Sequence, residues 1–374
     1  MIHWIRSADE LRDLLRDPPS HYALDTEFVR EKTFWPILAL VQLALPSRDS
    51  SSEAEIYLID PLLAGVNAVL RDLFLEPSCT AVVHSPSEDW VALRENIGAL
   101  PQKVFDTQHA AAMLGIGYGM SYLRLVEAIT GVQLEKGETR SNWLQRPLTD
   151  SQKKYAADDV LHLLQVYVEL RSQLIEHERL AWMEEDMARV LASASVDTIE
   201  PYPHLGVRGA GNFGMNQQKV LHRLLRWREA QARDSNLPKT WILGNELAFA
   251  IARDQIGTST ALNTCMNKIP KSPFKFAKKI LSVATTPLPD EDSLPDARDL
   301  ERRDKERVRA LQKIVQDLTV SLGMSDGILA SRRRIEQWVD DGAWTGSFAG
   351  WRREILEPLF SAAEPEPEPE SDPE

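Results

Sequence analysis

Two carboxylates stand two residues apart near the start of the chain, in the stretch Leu24-Asp25-Thr26-Glu27-Phe28. The apolar residues around them predict a β-strand, in which side chains two apart point to the same face. Leaving these acids unpaired beside a core is unfavourable, because burial penalises charge and like charges repel. The strand contains no Lys or Arg, so a bound metal ion is one source of the missing positive charge. The alternative is a strand edge whose acids face water.

A third acid, Asp89, follows a predicted strand at 80–84. The residues just before it, Ser85-Pro86-Ser87-Glu88, predict the start of a helix, with Ser85 as N-cap, Pro86 at the first helical position and Glu88 closing a capping box. Asp89 would then lie in the first helical turn, next to the end of the strand.

A fourth acid, Asp159, lies on a long helix that Thr149 and Gln152 open as a capping box and that we expect to run to about residue 176. Tyr155 precedes Asp159 by four residues and therefore shares its helix face. The neighbouring Asp158 is turned away by about 100°, and we assign it to solvent or to a structural partner.

The order of elements predicts a mixed sheet. Strand-like runs end at Phe28 and cover 37–45 and 56–59, and their short links favour an antiparallel meander. Helices and strands then alternate, which places helices on the faces of the sheet. Beyond residue 195, helical segments are separated by linkers rich in Pro, Gly or acids. We predict four parts: 1–195, 214–285, 300–361 and a disordered acidic tail at 362–374.

The chain has 374 residues, enough for two or three domains of about 100–200 residues each. Its two cysteines, Cys79 and Cys265, exclude a disulfide framework and a cysteine-based zinc cluster, and they suit a reducing cytoplasm. The first residues do not form a signal peptide, and no apolar run approaches the ~20 residues that span a bilayer. We therefore expect a cytoplasmic protein without a membrane partner.

The net charge of −13 hides an uneven distribution. Residues 214–284 hold seven Lys and five Arg against two Glu and two Asp, whereas residues 361–374 hold five Glu and one Asp. The local field, rather than the sum, governs where a polyanion binds. A nucleic-acid partner for the basic segment therefore remains compatible with the composition.

In type, order and spacing, the four acids and Tyr155 resemble the DEDDy family of 3′–5′ exonucleases. The matching segments lie between about 23 and 170 and are Asp25-Thr26-Glu27-Phe28-Val29-Arg30, Ile59-Asp60-Pro61, Ser87-Glu88-Asp89, Trp143-Leu144-x-Arg146-Pro147-Leu148-Thr149 and Tyr155-Ala156-Ala157-Asp158-Asp159-Val160. The middle motif departs from the family's common Asn-x-x-Phe/Tyr-Asp form, which leaves Glu88 as an alternative to Asp89. The predicted capping role of Glu88 favours Asp89. The two helical modules resemble HRDC domains.

The resemblance implies an α/β fold, in which an RNase H-like mixed-sheet exonuclease domain precedes two small all-helical domains. It also implies two divalent ions, Mg²⁺ or Mn²⁺, which suit oxygen ligands and the charge that develops on phosphate. Asp25 would bridge both ions, Glu27 and Asp159 would hold the ion bearing the attacking water, and Asp89 would support the second. Tyr155 would orient that water, since a phenol with a pKa near 10 is a positioning group rather than a strong base.

Other residues are candidates for substrate contacts, each with a structural alternative. Thr26 and Phe28 flank the acids, but such a Phe is more often core. Arg140, Trp143 and Arg146 could touch RNA, or could form a solvated loop with Trp143 packed beneath it. A run of lysines interleaved with Phe274 and Phe276 could follow a phosphate backbone or form a solvated helix face. These lysines are Lys268, Lys271, Lys275, Lys278 and Lys279. His84, His109 and His162 fit no zinc spacing and are interpreted as structural.

Three functions follow from the resemblance and the residues. The first is a metal-dependent 3′–5′ exoribonuclease that releases nucleoside 5′-monophosphates, with tRNA precursors or other structured RNA as substrates and tRNA 3′ maturation as the implied role. We expect it to be a monomer. The second is the same chemistry on DNA in repair. The third is a catalytically silent adaptor that binds nucleic acid, which the presence of all four acids and Tyr155 disfavours.

Overall fold

The computed structural model describes residues 2–47, 54–135, 137, 141–298 and 304–363, which form two compact units. Unit one comprises Met1–Val29, Leu38–Val196 and the chain from Asp304 on, within the described residues. Unit two comprises Arg30–Ile37 and Asp197–Arg303, within the same limits. The predicted acidic tail lies outside the described residues from 364 onward. The predicted domain boundaries remain a prediction.

A six-stranded mixed sheet forms the centre of unit one. Its strands are β1 (Ile2–Ile5), β2 (His21–Val29), β3 (Ile37–Leu45), β4 (Glu55–Ile59), β5 (Thr80–Val83) and β6 (Val104–Asp106). They lie in the order β1-β4-β3-β2-β5-β6. β3 runs antiparallel to β4, whereas β2, β5 and β6 are parallel neighbours. Eight of the nine residues of β3 are buried, as expected of a central strand covered on both faces.

Helices cover the sheet, and the mixed α/β fold predicted from the sequence is confirmed. Between the strands and after them come α1 (Ala8–Leu14), α2 (Val66–Phe74), α3 (Ser87–Ile97), α4 (Thr107–Met113), α5 (Tyr122–Thr130), α6 (Asp150–Leu161), α7 (Leu163–Glu176) and α8 (Leu180–Ala194). The Thr149–Gln152 capping box is present at the start of α6, which fixes where the helix that carries Asp159 begins.

Two local expectations were wrong, and one strand was not predicted. The helix predicted from 149 to 176 is two helices that meet at His162, because the amide of His162 donates a hydrogen bond to the Tyr122 hydroxyl, 3.2 Å away. Ser85 does not cap α3: it adopts a positive φ of 55°, and its amide instead donates to Asp106 Oδ1. Strand β1 was not predicted, since four residues carry no period, and only its parallel pairing with β4 defines it.

Unit two is helical, and its helices enclose a separate apolar core. They are α9 (Met215–Ser235), α10 (Lys239–Ile242), α11 (Asn245–Arg253), α12 (Ser259–Lys268) and α13 (Ala277–Thr285). The segment Arg30–Ile37, which links β2 to β3, also belongs to this unit. The amides of Phe34 and Trp35 both donate to Asn236 Oδ1, and Phe34 packs with Ala232 and Ile242.

The last three helices, α14 (Lys305–Ser321), α15 (Arg332–Asp341) and α16 (Trp351–Ala362), share one core with the sheet of unit one. The rings of Trp182 and Trp351 stack with their centroids 4.4 Å apart. Arg352 binds the buried Asp186 through two nitrogens, Nη1 to Oδ1 at 2.5 Å and Nη2 to Oδ2 at 2.8 Å. These contacts tie the end of the described chain to α8.

Candidate active site

Strand β2 presents Asp25 and Glu27 on one face, as the spacing of two predicts. Tyr22, Ala23 and Leu24, just before them, are buried and anchor the strand in the core. Oxygens of Asp25, Glu27 and Asp159 all lie within 4.8 Å of one another. Two segments separated by more than 130 residues therefore bring three carboxylates to one point.

Helix α6 positions Asp159 by burying the opposite side of the helix. Ala156, Ala157 and Val160 pack into the core, which turns Tyr155 and Asp159 towards β2. The Tyr155 hydroxyl donates a hydrogen bond to the Asp159 carboxylate.

Two residues hold the Tyr155 ring in place. The Trp143 ring lies 6.0 Å from the Tyr155 ring, centroid to centroid. Gly137 approaches the Tyr155 ring so closely that a Cβ on residue 137 would collide with this ring. Tyr155 is therefore fixed beside the acids by packing as well as by its hydrogen bond.

Asp89 joins the cluster through the first turn of α3. The Thr26 hydroxyl, on the strand between Asp25 and Glu27, donates a hydrogen bond to Asp89 Oδ1. Glu88 is exposed, so the geometry favours Asp89 over its neighbour. Asp158 lies apart from the acids, with Lys154 Nζ 4.0 Å from its carboxylate.

The electrostatics of the cluster are those of carboxylates without cations. In the described part of the chain no Lys or Arg forms an ion pair with Asp25, Glu27, Asp89 or Asp159. Burial raises the pKa of Glu27 to about 9, with Asp159 and Asp89 adding repulsion. Burial likewise raises the pKa of Asp159 to about 7 and that of Asp89 to about 6, although hydrogen bonds from Tyr155 and Thr26 oppose the shift. Burial and the other three acids raise the pKa of Asp25 as well.

Such a cluster fits a divalent cation. Its ligand atoms are all carboxylate oxygens, which hard cations such as Mg²⁺ and Mn²⁺ prefer. A cation would replace the protons that the raised pKa values imply and would offset the mutual repulsion of the acids. The arrangement can hold a metal ion next to a phenol.

Comparison with known proteins identifies the family. Residues 2–175 match a family model described as a 3′–5′ exonuclease. A ribonuclease D of Xanthomonas oryzae pv. oryzae is 44% identical over 369 residues, which cover 97% of this chain and 100% of that protein. The chain belongs to the ribonuclease D family. The Escherichia coli ribonuclease D is 30% identical over 353 residues, covering 89% of this chain and 90% of that protein.

A solved structure supports the ribonuclease D assignment. The crystal structure of Escherichia coli RNase D, described as an exoribonuclease involved in structured RNA processing, matches with a TM-score of 0.83 and 28% identity. The match covers 97% of this chain and 98% of that one. The predicted resemblance and fold class are thereby confirmed, and the protein is a 3′–5′ exoribonuclease. The DNA exonuclease and silent adaptor predicted as alternatives are not favoured.

The residues predicted to touch substrate occupy different environments in the structure. Thr26 is buried and engaged with Asp89, and Phe28 is half-buried against the core. Trp143 is only 4% exposed, so it supports Tyr155 from beneath rather than offering a surface to RNA. Arg140 lies outside the described residues.

Arg146 was considered as an RNA contact, but its guanidinium is occupied within the protein. It donates to both carboxylate oxygens of Asp60 and to the carbonyls of Ala39 and Trp143. It therefore anchors the segment before α6 to the sheet. No local pattern marks this role, because the two partners Arg146 and Asp60 are 86 residues apart.

The histidines behave as structural residues, as predicted for His84 and His109. His84 Nδ1 lies 2.9 Å from Thr107 Oγ1 and Nε2 lies 3.0 Å from the Met120 carbonyl. His109 Nε2 lies 2.8 Å from Asp186 Oδ2. Both rings therefore have hydrogen-bonding partners within the protein.

The five predicted lysines of unit two are all exposed. They do not share one helix face, since Lys268 ends α12, Lys271 lies in a turn, and Lys278 and Lys279 open α13. Within the described residues none of them forms an ion pair, whereas Arg223, Arg226 and other arginines of this unit are paired with acids.

Of the described helices, none is long and apolar enough to cross a bilayer.

Proposed function

We propose that Asp25, Glu27, Asp89 and Asp159 hold two divalent ions, Mg²⁺ or Mn²⁺, and that Tyr155 completes the catalytic set. The reaction removes nucleoside 5′-monophosphates one at a time from the 3′ end of RNA. The observation that supports this most is the meeting of three carboxylates within 4.8 Å, with Tyr155 hydrogen-bonded to one of them.

When bound, the ions would stabilise negative charge on the attacking and leaving oxygens of the phosphodiester. The chain supplies the positions. Asp25 lies beside Glu27 and Asp159, and burial followed by repulsion from the other three acids raises its pKa. The Thr26 hydroxyl donates a hydrogen bond to the carboxylate of Asp89, and the capping box fixes where α6, the helix that carries Asp159, begins.

Tyr155 acts by orientation. Burial, followed by the nearby charge of Asp159, raises the pKa of its hydroxyl above the usual value of about 10. The hydroxyl therefore keeps its proton at neutral pH and donates it in a hydrogen bond. It orients the attacking water while Trp143 fixes the ring.

Structured RNA, with tRNA precursors among its members, is the proposed substrate class. The relative from Escherichia coli is described as acting in structured RNA processing. Thr26 and Phe28 would frame the terminal nucleotide, while Lys271, Lys275 and Lys278 would contact phosphates elsewhere on the RNA. Maturation of tRNA 3′ ends is the role that fits these features.

The protein is further proposed to be a monomer in the cytoplasm. Cys79 and Cys265 are both free thiols, which suits a reducing compartment.

A nuclease assay tests the proposal. RNA and DNA of the same sequence, labelled at the 3′ end, are incubated with MgCl₂, with MnCl₂ and with EDTA. Release of labelled 5′-mononucleotide from RNA with either metal, and none in EDTA, is the expected result. Activity that persists in EDTA after dialysis, or release from DNA but not from RNA, would contradict it.

A further inference from the structure

A cleft in unit two combines aromatic and basic side chains. It has a volume of about 630 Å³ and is lined by Trp241, Phe274, Lys271 and Lys275 together with Thr240, Ser272 and Pro273. The Trp241 side chain is 49% exposed and Phe274 is 50% exposed, although both are large and aromatic. Exposed rings of this size beside a cavity usually mark a binding surface.

The local sequence turns these four side chains outward. Helix α10 is a single turn whose Ile242 is fully buried, which leaves the preceding Trp241 at the surface. Phe276 packs edge-on against Trp227 at 6.0 Å, so Phe274, two residues earlier, faces away from the core.

Lys271 adopts a positive φ of 59°, a conformation unfavourable for a residue with a side chain. The turn is held in part by the Ser272 hydroxyl, which donates to the Ile269 carbonyl at 2.7 Å. The strained turn places Lys271 at the rim of the cleft, on the same lining as Trp241.

The chemistry of the cleft identifies its ligand class. Aromatic faces stack on nucleobases, and ammonium groups neutralise phosphates. Within the described chain neither Lys271 nor Lys275 has an acidic partner, and the ammonium of Lys275 lies 4.8 Å from the centroid of the Phe276 ring. The volume is within the range of sites that hold a small ligand, about 300–1,000 Å³, and suits one or two nucleotides rather than a protein helix.

We propose that this cleft binds an unpaired nucleotide of RNA, with its base stacked on Trp241 and Phe274 and its phosphates near Lys271 and Lys275. The inference rests on the proposed function only in taking RNA as the ligand. Bases within a duplex are already stacked and paired, so the cleft selects RNA that has a single-stranded segment. It gives the enzyme a means of sensing unpaired RNA with a unit that lacks the acidic cluster.

Binding measurements with the full-length protein in EDTA test this without cleavage. The probes are a single-stranded oligouridylate and a blunt RNA duplex of equal length. Trp241→Leu keeps an apolar side chain but removes the ring, and Trp241→Phe keeps a ring. We expect the Leu variant to bind the single strand about 10-fold more weakly, the Phe variant to lose no more than about 3-fold, and duplex affinity to stay unchanged. Phe274→Leu is an independent second variant with the same expected direction.

The outcomes separate this inference from the proposed function. If Trp241→Leu and Phe274→Leu both bind the single strand within twofold of wild type, the cleft is not a stacking site, whatever the nuclease assay shows. Equal losses for single strand and duplex would also overturn it, because stacking cannot act on paired bases. Failure of the wild type to release nucleotides would reject the proposed function but leave the binding result standing. Photocrosslinking of RNA carrying 5-iodouridine, followed by peptide mass spectrometry, should label Trp241 or Phe274.

Discussion

Unit one contains two arrangements of carboxylates that differ in what lies opposite them. Asp186, on α8, faces cations and donors on several sides: Arg352 through two hydrogen bonds, His109, Arg189 and the indole N–H of Trp351. Burial by itself would raise its pKa, but the hydrogen bonds from His109 and Arg352 lower it well below the usual value. Asp25 and the three acids beside it have no such cation among the residues that the structure describes, and their pKa values are raised.

The difference separates structure from function. A buried carboxylate that the chain itself neutralises contributes to holding α16 against α8. Other carboxylates are brought together by the fold without a neutralising partner. Such carboxylates destabilise the metal-free protein and require a cation from solution. Raised pKa values of several acids at one point thus indicate a site for a ligand.

The largest expected effect comes from removing the central acid of the site. Asp25→Asn keeps the shape of the side chain but removes a charge that the proposed ions require, so activity on RNA should fall by about 10³-fold or more. Single-turnover release of 3′-terminal nucleotides with saturating MgCl₂ measures it. Asp158→Asn, which changes a half-buried carboxylate apart from the cluster, is the matched control and should retain most activity. Comparable losses in both variants would refute the distinction between the acids of the cluster and Asp158.

The structural carboxylate predicts a loss of stability instead. Arg352→Met leaves Asp186 buried with fewer partners, and breaking a buried pair costs about 3–5 kcal/mol in the free energy of unfolding. Urea denaturation followed by circular dichroism gives this value. Arg353→Met is the control, because Arg353 is exposed and pairs with Glu357 on the surface of the same helix; its midpoint should match the wild type. If Arg352→Met unfolds at the wild-type midpoint, the Asp186 network does not anchor α16.

The two arrangements also differ in how far the sequence could predict them. Asp25 and Glu27 share a face because a strand has a period of two, and Tyr155 and Asp159 share one because a helix has a period near 3.6. These local periods, together with the family resemblance, were enough to predict which residues form the site. The hydrogen bond from Thr26 to Asp89 was not foreseen, since it depends on the distance between β2 and α3.

Long-range contacts account for what the sequence did not show. Asp186 and Arg352 are 166 residues apart, and no period or spacing links them. The break at His162 depends on Tyr122, 40 residues away, and strand β1 depends on β4. Each of these features is fixed by a partner remote in the chain, whereas propensity and capping describe neighbours only.

A smaller effect is expected at the phenol. Tyr155→Phe removes the hydroxyl that bonds Asp159 but keeps the ring against Trp143. If the hydroxyl orients water, kcat should fall by about 10- to 100-fold with KM little changed, since one oriented hydrogen-bonding group is worth about 1.4–2.7 kcal/mol in the transition state. Steady-state kinetics on a short RNA separates the two constants. A loss confined to KM would show instead that Tyr155 binds substrate.

The smallest expected effect is on thermal stability as a function of pH, and it has opposite signs at the two arrangements. The raised pKa values mean that the folded, metal-free site binds more protons than the unfolded chain between about pH 4 and about pH 9. Its contribution to stability is therefore present at low pH and is lost as the pH rises through this window. The lowered pKa of Asp186 acts in the other direction, so that its contribution is lost as the pH falls below about 4.

Differential scanning fluorimetry with and without MgCl₂ measures the first of these effects. Because Mg²⁺ competes with protons for the site, the rise in Tm on adding excess MgCl₂ should reach about 5 °C at pH 8.5 and nearly vanish at pH 5.5. Asp25→Asn, which removes one of the repelling charges, should have a higher metal-free Tm at pH 8.5 than the wild type and a smaller rise with Mg²⁺. An equal Mg²⁺-dependent rise at both pH values would mean that the ion binds somewhere other than the protonated acids, and the contrast between the two arrangements would then rest on Asp186 alone.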